Sequence, residues 1–350
     1  MIAADDSRRA PRDAVTSAHG GGGRAMRALI ERIILPAFDN PLLGELEDQA
    51  RLSIADLAAL GDRLAFTTDS YVVTPLEFPG GDIGRLAVCG TVNDLAVGGA
   101  RPLFLSCGLV LEEGLGMDIL SWVAHSMARA AREAGVQIVT GDTKVVERGA
   151  ADRIFINTAG IGVVAAGVDI SARRARPGDA VIVSGELGCH GVAILLARNE
   201  LSLSAEVASD CQPLHGLVAA MLAVCPDIHC LRDATRGGVA TVLNEFAECS
   251  AVAIRVREAD IPVGYAVRGA CEILGLDPLY LANEGKLVAI VPAARADAVL
   301  AAMRAHPAGR GAMLIGEVCA GPPGRVILST VIGGDRIVDM LGGEQMPRIC

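Results

Sequence analysis

At 350 residues and 51% hydrophobic content, the chain has material for two packed cores, and two domains are expected rather than one. A net charge of −10 with only 3% aromatic residues excludes a nucleic-acid interface, which needs a positive field and stacking surfaces. Mean hydropathy of +0.43 comes from dispersed Ala and Val; the longest apolar stretch, around Ala159–Val168, is far too short to cross a membrane.

Residues 1–18 carry Asp5, Asp6, Arg8, Arg9, Arg12 and Asp13 with no apolar segment, so they read as a disordered tail and not as a secretion signal; a cytoplasmic protein is expected. His19-Gly20-Gly21-Gly22-Gly23 follows, before a helical run that starts near Met26. Consecutive glycines let backbone N–H groups converge on an anion at a helix start, although a glycine run alone is more often a linker. No G-x-x-x-x-G-K-[ST] pattern is present, so the loop is not a P-loop.

From Leu64 the pattern alternates. Strands are expected at Leu64–Val73, Pro102–Val110, Gln137–Val139 and Ile154–Ala159, and helices at Ile83–Val97 and Met117–Ala134. Three acidic motifs fall in this half, each read as a strand end or turn: Thr67-Thr68-Asp69-Ser70, Thr91-Val92-Asn93-Asp94 and Thr140-Gly141-Asp142-Thr143-Lys144. Together they fit oxygen ligands gathered around Mg²⁺ and a nucleotide polyphosphate, which would reconcile bound phosphates with an acidic chain.

Residues 171–179 are polar, basic and turn-rich and mark the domain boundary, giving domains over 19–170 and 171–341. A strand at Ala180–Ser184 opens the second half, and helices and strands alternate to Thr330. Asp233-Ala-Thr-Arg-Gly-Gly238 repeats the theme of a carboxylate and glycines before a helix. Asn283-Glu284-Gly285-Lys286 precedes the strand Leu287–Val291 and by itself reads as a turn with an exposed ion pair. Ten cysteines without paired spacing read as reduced thiols, mostly core residues. Cys225-Pro-Asp-Ile-His229-Cys230 is the one metal-like run, and its spacing matches no standard zinc pattern.

The last nine residues, 342–350, begin Gly342-Gly343 and end Pro347-Arg348-Ile349-Cys350, an extended arm that should hold the Cys350 side chain away from the body. Eight extended residues reach about 25 Å, enough to carry a covalently held group from a partner into a pocket. The neighbouring carboxylate should raise the thiol pKa, so a nucleophilic role calls for a cation, and Arg348 is the first candidate.

Taken together, the glycine loop, Thr67–Val73 with Phe78–Gly84, Leu86–Ala96, Thr140–Val146, Asp233–Gly238, Asn283–Lys286 and the Pro-Arg-Ile-Cys ending resemble the HypE family of carbamoyl dehydratases. These enzymes make the cyanide ligands of [NiFe]-hydrogenase and belong to the aminoimidazole-ribonucleotide-synthetase-like (PurM-like) ATP enzymes. The resemblance covers nearly everything after residue 18. It implies a mixed α/β (α+β), two-lobed PurM-like fold whose N-terminal domain forms a β-barrel with its dimer mate, with ATP and Mg²⁺ near the lobe junction. It assigns His19, Gly21, Gly22, Asp69, Asn93, Gly141, Asp142 and Thr143 to nucleotide binding. Asp69, Asp94, Asp142 and Asp233 fall on metal motifs, and the division between the two roles is left open. Lys144 and Glu284 fall on the catalytic pair, with Cys350 as carrier.

The implied partners are a carbamoyltransferase resembling HypF and an iron scaffold resembling the HypC–HypD pair. The alternatives are another ATP-dependent kinase or synthetase of the superfamily, which leaves Cys350 without purpose, and a binding module that carries metal through Cys350 and Cys225–Cys230. The selenophosphate-making relative is disfavoured, because residues 1–30 contain neither cysteine nor lysine.

Overall fold

In the computed structural model, which describes residues 13–201, 206–343 and 348–350, exposed and half-buried side chains alternate along Arg63–Tyr71, the first strand β1, which ends on buried Tyr71. Upstream lie four short helices: α1 (Arg24–Leu29), which runs through a π-turn at Ile30–Ile34 into α2 (Leu35–Phe38), then α3 (Pro41–Gly44) and α4 (Ile54–Ala58). After β1 come β2 (Glu77–Phe78), β3 (Gly81–Asp82), α5 (Ile83–Val97), β4 (Ala100–Glu112), α6 (Met117–Ala134), β5 (Gln137–Val146) and β6 (Ile154–Val164).

The start of α5 is set by Asp82, whose Oδ1 accepts from the N–H groups of Gly84 and Arg85 at 2.8 and 3.0 Å. The end of α6 is set by Gly135, at φ +66°, a left-handed cap that glycine adopts without penalty. The strands pair in the order β1-β6-β4-β5, with β4 and β5 parallel and β6 antiparallel to both β1 and β4.

Helix α5 packs on one face of this sheet, tied through buried hydroxyls: Thr91 lies 2.5 Å from Thr158, which donates to the Ala87 carbonyl. Gly90 allows the close approach, since a Cβ there would stand 2.3 Å from the Tyr71 hydroxyl oxygen. The other face is uncovered. Leu64 and Phe66 on β1 are 65% and 72% exposed, and Phe66 is in register with half-buried Ile161 and, beyond it, Phe104.

The second domain contains β7 (Ala180–Val183), α7 (Cys189–Ala197), α8 (His215–Val224), β8 (Cys230–Asp233), α9 (Gly238–Cys249), β9 (Ala253–Arg257), α10 (Tyr265–Leu274), β10 (Leu287–Val291), α11 (Ala296–Ala305), β11 (Met313–Cys319), β12 (Arg325–Ser329) and β13 (Asp335–Val338). Its sheet runs β13-β12-β9-β11-β7-β10-β8, antiparallel except for β12 beside β9. Wholly apolar β7 and β10 are buried on both faces, as a central strand requires, with α9 on one side and α8 and α11 on the other. Val192 and Leu195 of α7 join the core of the first domain, so the two domains share apolar packing.

Three expectations are corrected. The tail assigned to residues 1–18 is docked in its described part, because Ala14 bridges to Gly116 and Val15 is fully buried; residues 1–12 lie outside the described residues. The acidic motifs do not sit at strand ends or turns: Asp69 is within β1, Asn93 and Asp94 within α5, and Gly141–Lys144 within β5. The C-terminal arm does not project. Ile349 is 3% exposed and Cys350 packs against the main core, while residues 344–347 lie outside the described residues.

Candidate active site

Four carboxylates from four elements meet where the domains abut. Asp94 projects from α5 and accepts a hydrogen bond from the Thr67 hydroxyl at 3.0 Å, and Asp69 lies on the same sheet face, since its register partner Thr158 is tied to α5. From the second domain come Asp233, at the end of β8, and Glu284, which leads into β10. A cavity of about 660 Å³ alongside is lined by Thr67, Asp94, Asp233, Thr235 and Arg236.

The turn that carries Glu284 is fixed from all sides. Asn283 is fully buried; it accepts from the Gly188 N–H at 2.8 Å and donates to the carbonyls of Ala234 and Leu281. Asp210 accepts from the N–H groups of Glu284 and Gly285. Asn93 spends both amide hydrogens on the carbonyls of Gln212 and Glu284, and its oxygen accepts from the Leu214 N–H at 2.7 Å. With its side chain so committed, Asn93 holds the domains in register.

Glu284 is 3% exposed and its Oε1 has no hydrogen-bond partner, the opposite of the exposed ion pair that its local sequence suggests. Burial, reinforced by Asp233, Asp210 and Asp69, holds its carboxyl well above the usual range. Burial, with Asp94 next, pushes Asp233 up to about 7. Asp94 is raised by the same desolvation. The positive charge beside this cluster comes from Arg236, 3.9 Å from Asp69, and from Arg232, which acts on Asp94 and Asp233. The donors are all hard oxygen, the kind that suits Mg²⁺. Among the described residues no three His, Cys or acidic side chains converge tightly enough to cage an ion by themselves, so an ion here would complete its shell with phosphate oxygens and water.

Asp142 and Lys144 lie elsewhere. They pair at 3.0 Å, the ammonium holding the carboxyl below its usual range, and both are more than half exposed. Their register partners Gly108 and Val110 place them on the uncovered face of the sheet, and β5 is the edge opposite β1. Three strand spacings, roughly 14 Å, separate the two groups within one chain. The glycine loop joins this second group, since Gly20 comes so close to β5 that a Cβ would lie 2.8 Å from the Val145 nitrogen. Gly21 and Gly22 are exposed, whereas His19 turns its Nδ1 back to accept the Thr16 N–H at 2.9 Å. Gly141 and Thr143 line a cavity of about 190 Å³ with Met26, Ile30 and Leu109.

The chain's last residues form a third group. A main-chain oxygen of Cys350 accepts from the Val72 N–H at 3.2 Å and the Arg348 carbonyl from the Thr74 N–H at 3.4 Å, just beyond β1. Tyr71, beside Val72, is within electrostatic reach of both Asp69 and Glu284. The Arg348 guanidinium donates to Asp152 and to Thr74 Oγ1.

The models of AIR synthase related proteins match here in two parts, the N-terminal domain over residues 47–164 and the C-terminal domain over 176–329. The carbamoyl dehydratase HypE of Rhodobacter capsulatus is 57% identical over 336 residues, 96% of this chain and 98% of its own length. The chain belongs to the HypE family of carbamoyl dehydratases. A crystal structure of the hydrogenase maturation protein HypE in complex with ATP superposes with a TM-score of 0.91 at 52% identity, covering 96% of this chain and 99% of that one. HypE in a crystallised HypE–HypF complex matches with a TM-score of 0.78 at 47% identity, covering 90% of this chain and all of that one.

Membership in the HypE family of carbamoyl dehydratases stands against the metal-carrying alternative. Cys225 and Cys230 are buried, and His229 Nδ1 is bonded to Asp179 at 2.7 Å. No helix among the described residues is long and apolar enough to cross a membrane. Sequence reasoning missed Asp210, Arg236, His190 and Arg198. Arg236 stands inside a quoted motif and could have been found there; the other three lie in runs with no pattern and meet the site only through the fold.

Proposed function

We propose that the chain dehydrates an S-carbamoyl group on its own Cys350 to a thiocyanate, at the expense of ATP, and thereby supplies cyanide for hydrogenase iron. The observation that carries this is the docked end of the chain: Cys350 is hydrogen-bonded to Val72, next to Tyr71, which is within electrostatic reach of buried Glu284 and its unpartnered oxygen. ATP supplies the phosphoryl group that turns the carbamoyl oxygen into a leaving phosphate, with Mg²⁺ offsetting its charge. The balance is R–S–C(=O)–NH₂ plus ATP giving R–S–C≡N, ADP, phosphate and a proton.

Each residue group has a task in that reaction. Asp69, Asp94 and Asp233 are the oxygen donors that would hold Mg²⁺ against phosphate oxygens. The N–H groups of Gly21 and Gly22 can face the polyphosphate. Glu284 takes the carbamoyl N–H proton, and burial among like charges raises its affinity for that proton. Lys144 supplies positive charge to the cleft and orients the carbamoyl group.

Because Lys144 and Asp142 face away from their own chain's cleft, a second copy has to bring them. The uncovered apolar face around Phe66 is the surface that a homodimer would bury, closing the two sheets into a barrel. The solved HypE–HypF complex supports a carbamoyltransferase as the partner that loads Cys350; the HypC–HypD-like scaffold as acceptor rests on the resemblance.

Glu284→Gln keeps the size of the site and removes proton acceptance. It should accept carbamoyl on Cys350 and stall there, whereas wild-type protein with ATP yields a C-terminal peptide lighter by one water. Thiocyanate forming in the variant at the wild-type rate would remove Glu284 from the mechanism.

A further inference from the structure

The end of the chain is held by more than the strand-like contact with Val72 and Thr74. His190, at the start of α7 and fully buried, stands 2.8 Å by Nε2 from the Ile349 carbonyl oxygen. A carbonyl can only accept, so Nε2 carries the hydrogen, and Nδ1 is left to accept from the Ser209 hydroxyl at 2.8 Å. The Phe78 ring meets the imidazole edge to face at 5.4 Å and fixes its plane. Arg198, at the other end of α7, donates Nη2–H to the Arg348 carbonyl at 2.6 Å and Nε–H to the Thr74 carbonyl at 2.8 Å. Thr74 in turn donates its hydroxyl to Asp152 at 3.0 Å, and Asp152 receives Arg348.

We propose that His190 and Arg198 are the positioning residues that hold Cys350 at the cleft, by reading the backbone carbonyls of Ile349 and Arg348. Recognition through carbonyls leaves the thiol chemistry at Cys350 unconstrained, so the same contacts serve a free, carbamoylated or cyanated sulfur. Both hooks belong to the second domain, whereas Val72, Thr74 and Asp152 belong to the first, so docking draws on both domains at once. The role in the reaction rests on the proposed dehydration; the docking itself does not.

The test uses the full-length protein and iodoacetamide, with alkylation of Cys350 followed by the mass of the C-terminal peptide. Arg198→Met removes the guanidinium and keeps the packing stem. The rate at Cys350 should rise about tenfold, equivalent to about 1.4 kcal/mol of lost docking. Cys249 and Cys319 serve as internal references and should not change. Arg198→Lys, which keeps one charged donor, should recover part of the protection, and His190→Gln should do better than His190→Leu for the same reason. An unchanged rate at Cys350 in Arg198→Met, or an equal rise at all three cysteines, overturns the proposal. If wild-type protein shows no carbamoyl or cyano adduct while the alkylation contrast persists, the reaction assignment fails and the docking assignment stands.

Discussion

Asp233 combines near-complete burial with three acidic neighbours, and that has a measurable cost. Its folded pKa of about 7 lies above the ordinary carboxylate value, so between pH 4 and 7 the folded state binds more protons than the unfolded one. Stability from this group is therefore full below about pH 4 and is lost as pH rises through about 7, by on the order of a few kcal/mol. Glu284, raised for the same reason, contributes in the same direction. Urea unfolding without divalent ions should show stability falling from pH 5 to pH 7.5, and Asp233→Asn should flatten the slope. A slope unchanged in Asp233→Asn would place the titration elsewhere. The motif around Asp233 was legible in the sequence because carboxylate and glycines sit together. The fate of Glu284 was not, because Asp210 and Asn93 are brought to it by the fold.

Among the elements, α5 carries two loads, packing the first sheet and pinning the second domain. Its limits were legible from its helical spacing over Ile83–Val97, as were those of α6 over Met117–Ala134. The setting of its acidic residues was not legible. Thr, Gly and Asp together imitate a turn, yet in β5 they are held extended by pairing with the thirteen-residue β4, a contact distant in sequence. Asn93→Ala should test the second load. It leaves the Leu214 N–H and two carbonyls unpaired, so a loss of about 3 kcal/mol is expected. Circular dichroism during denaturation should also show the domains melting less cooperatively. A loss below about 0.5 kcal/mol would mean that water replaces the amide.

For the whole molecule, the informative fact is that two groups expected in one site occupy opposite faces of one sheet. Strand order and facing depend on register, which a single sequence does not state, so this split was beyond reading. It would make the proposed dimer a matter of chemistry. Coexpressed Lys144→Ala and Glu284→Gln chains, each inactive alone, should regain about a quarter of wild-type activity if sites are shared, since half of random dimers then hold one intact site. No recovery would mean that each chain works alone.

The docked end of the chain also bears on how partners compete. Tethered by a few residues, it is an intramolecular ligand at millimolar effective concentration, so any protein that takes up Cys350 must outcompete a rival that never diffuses away. A partner's apparent dissociation constant is its intrinsic value divided by the undocked fraction. Loosening Arg198 or His190 would thus make the chain a better recipient in trans while making it a poorer enzyme in cis.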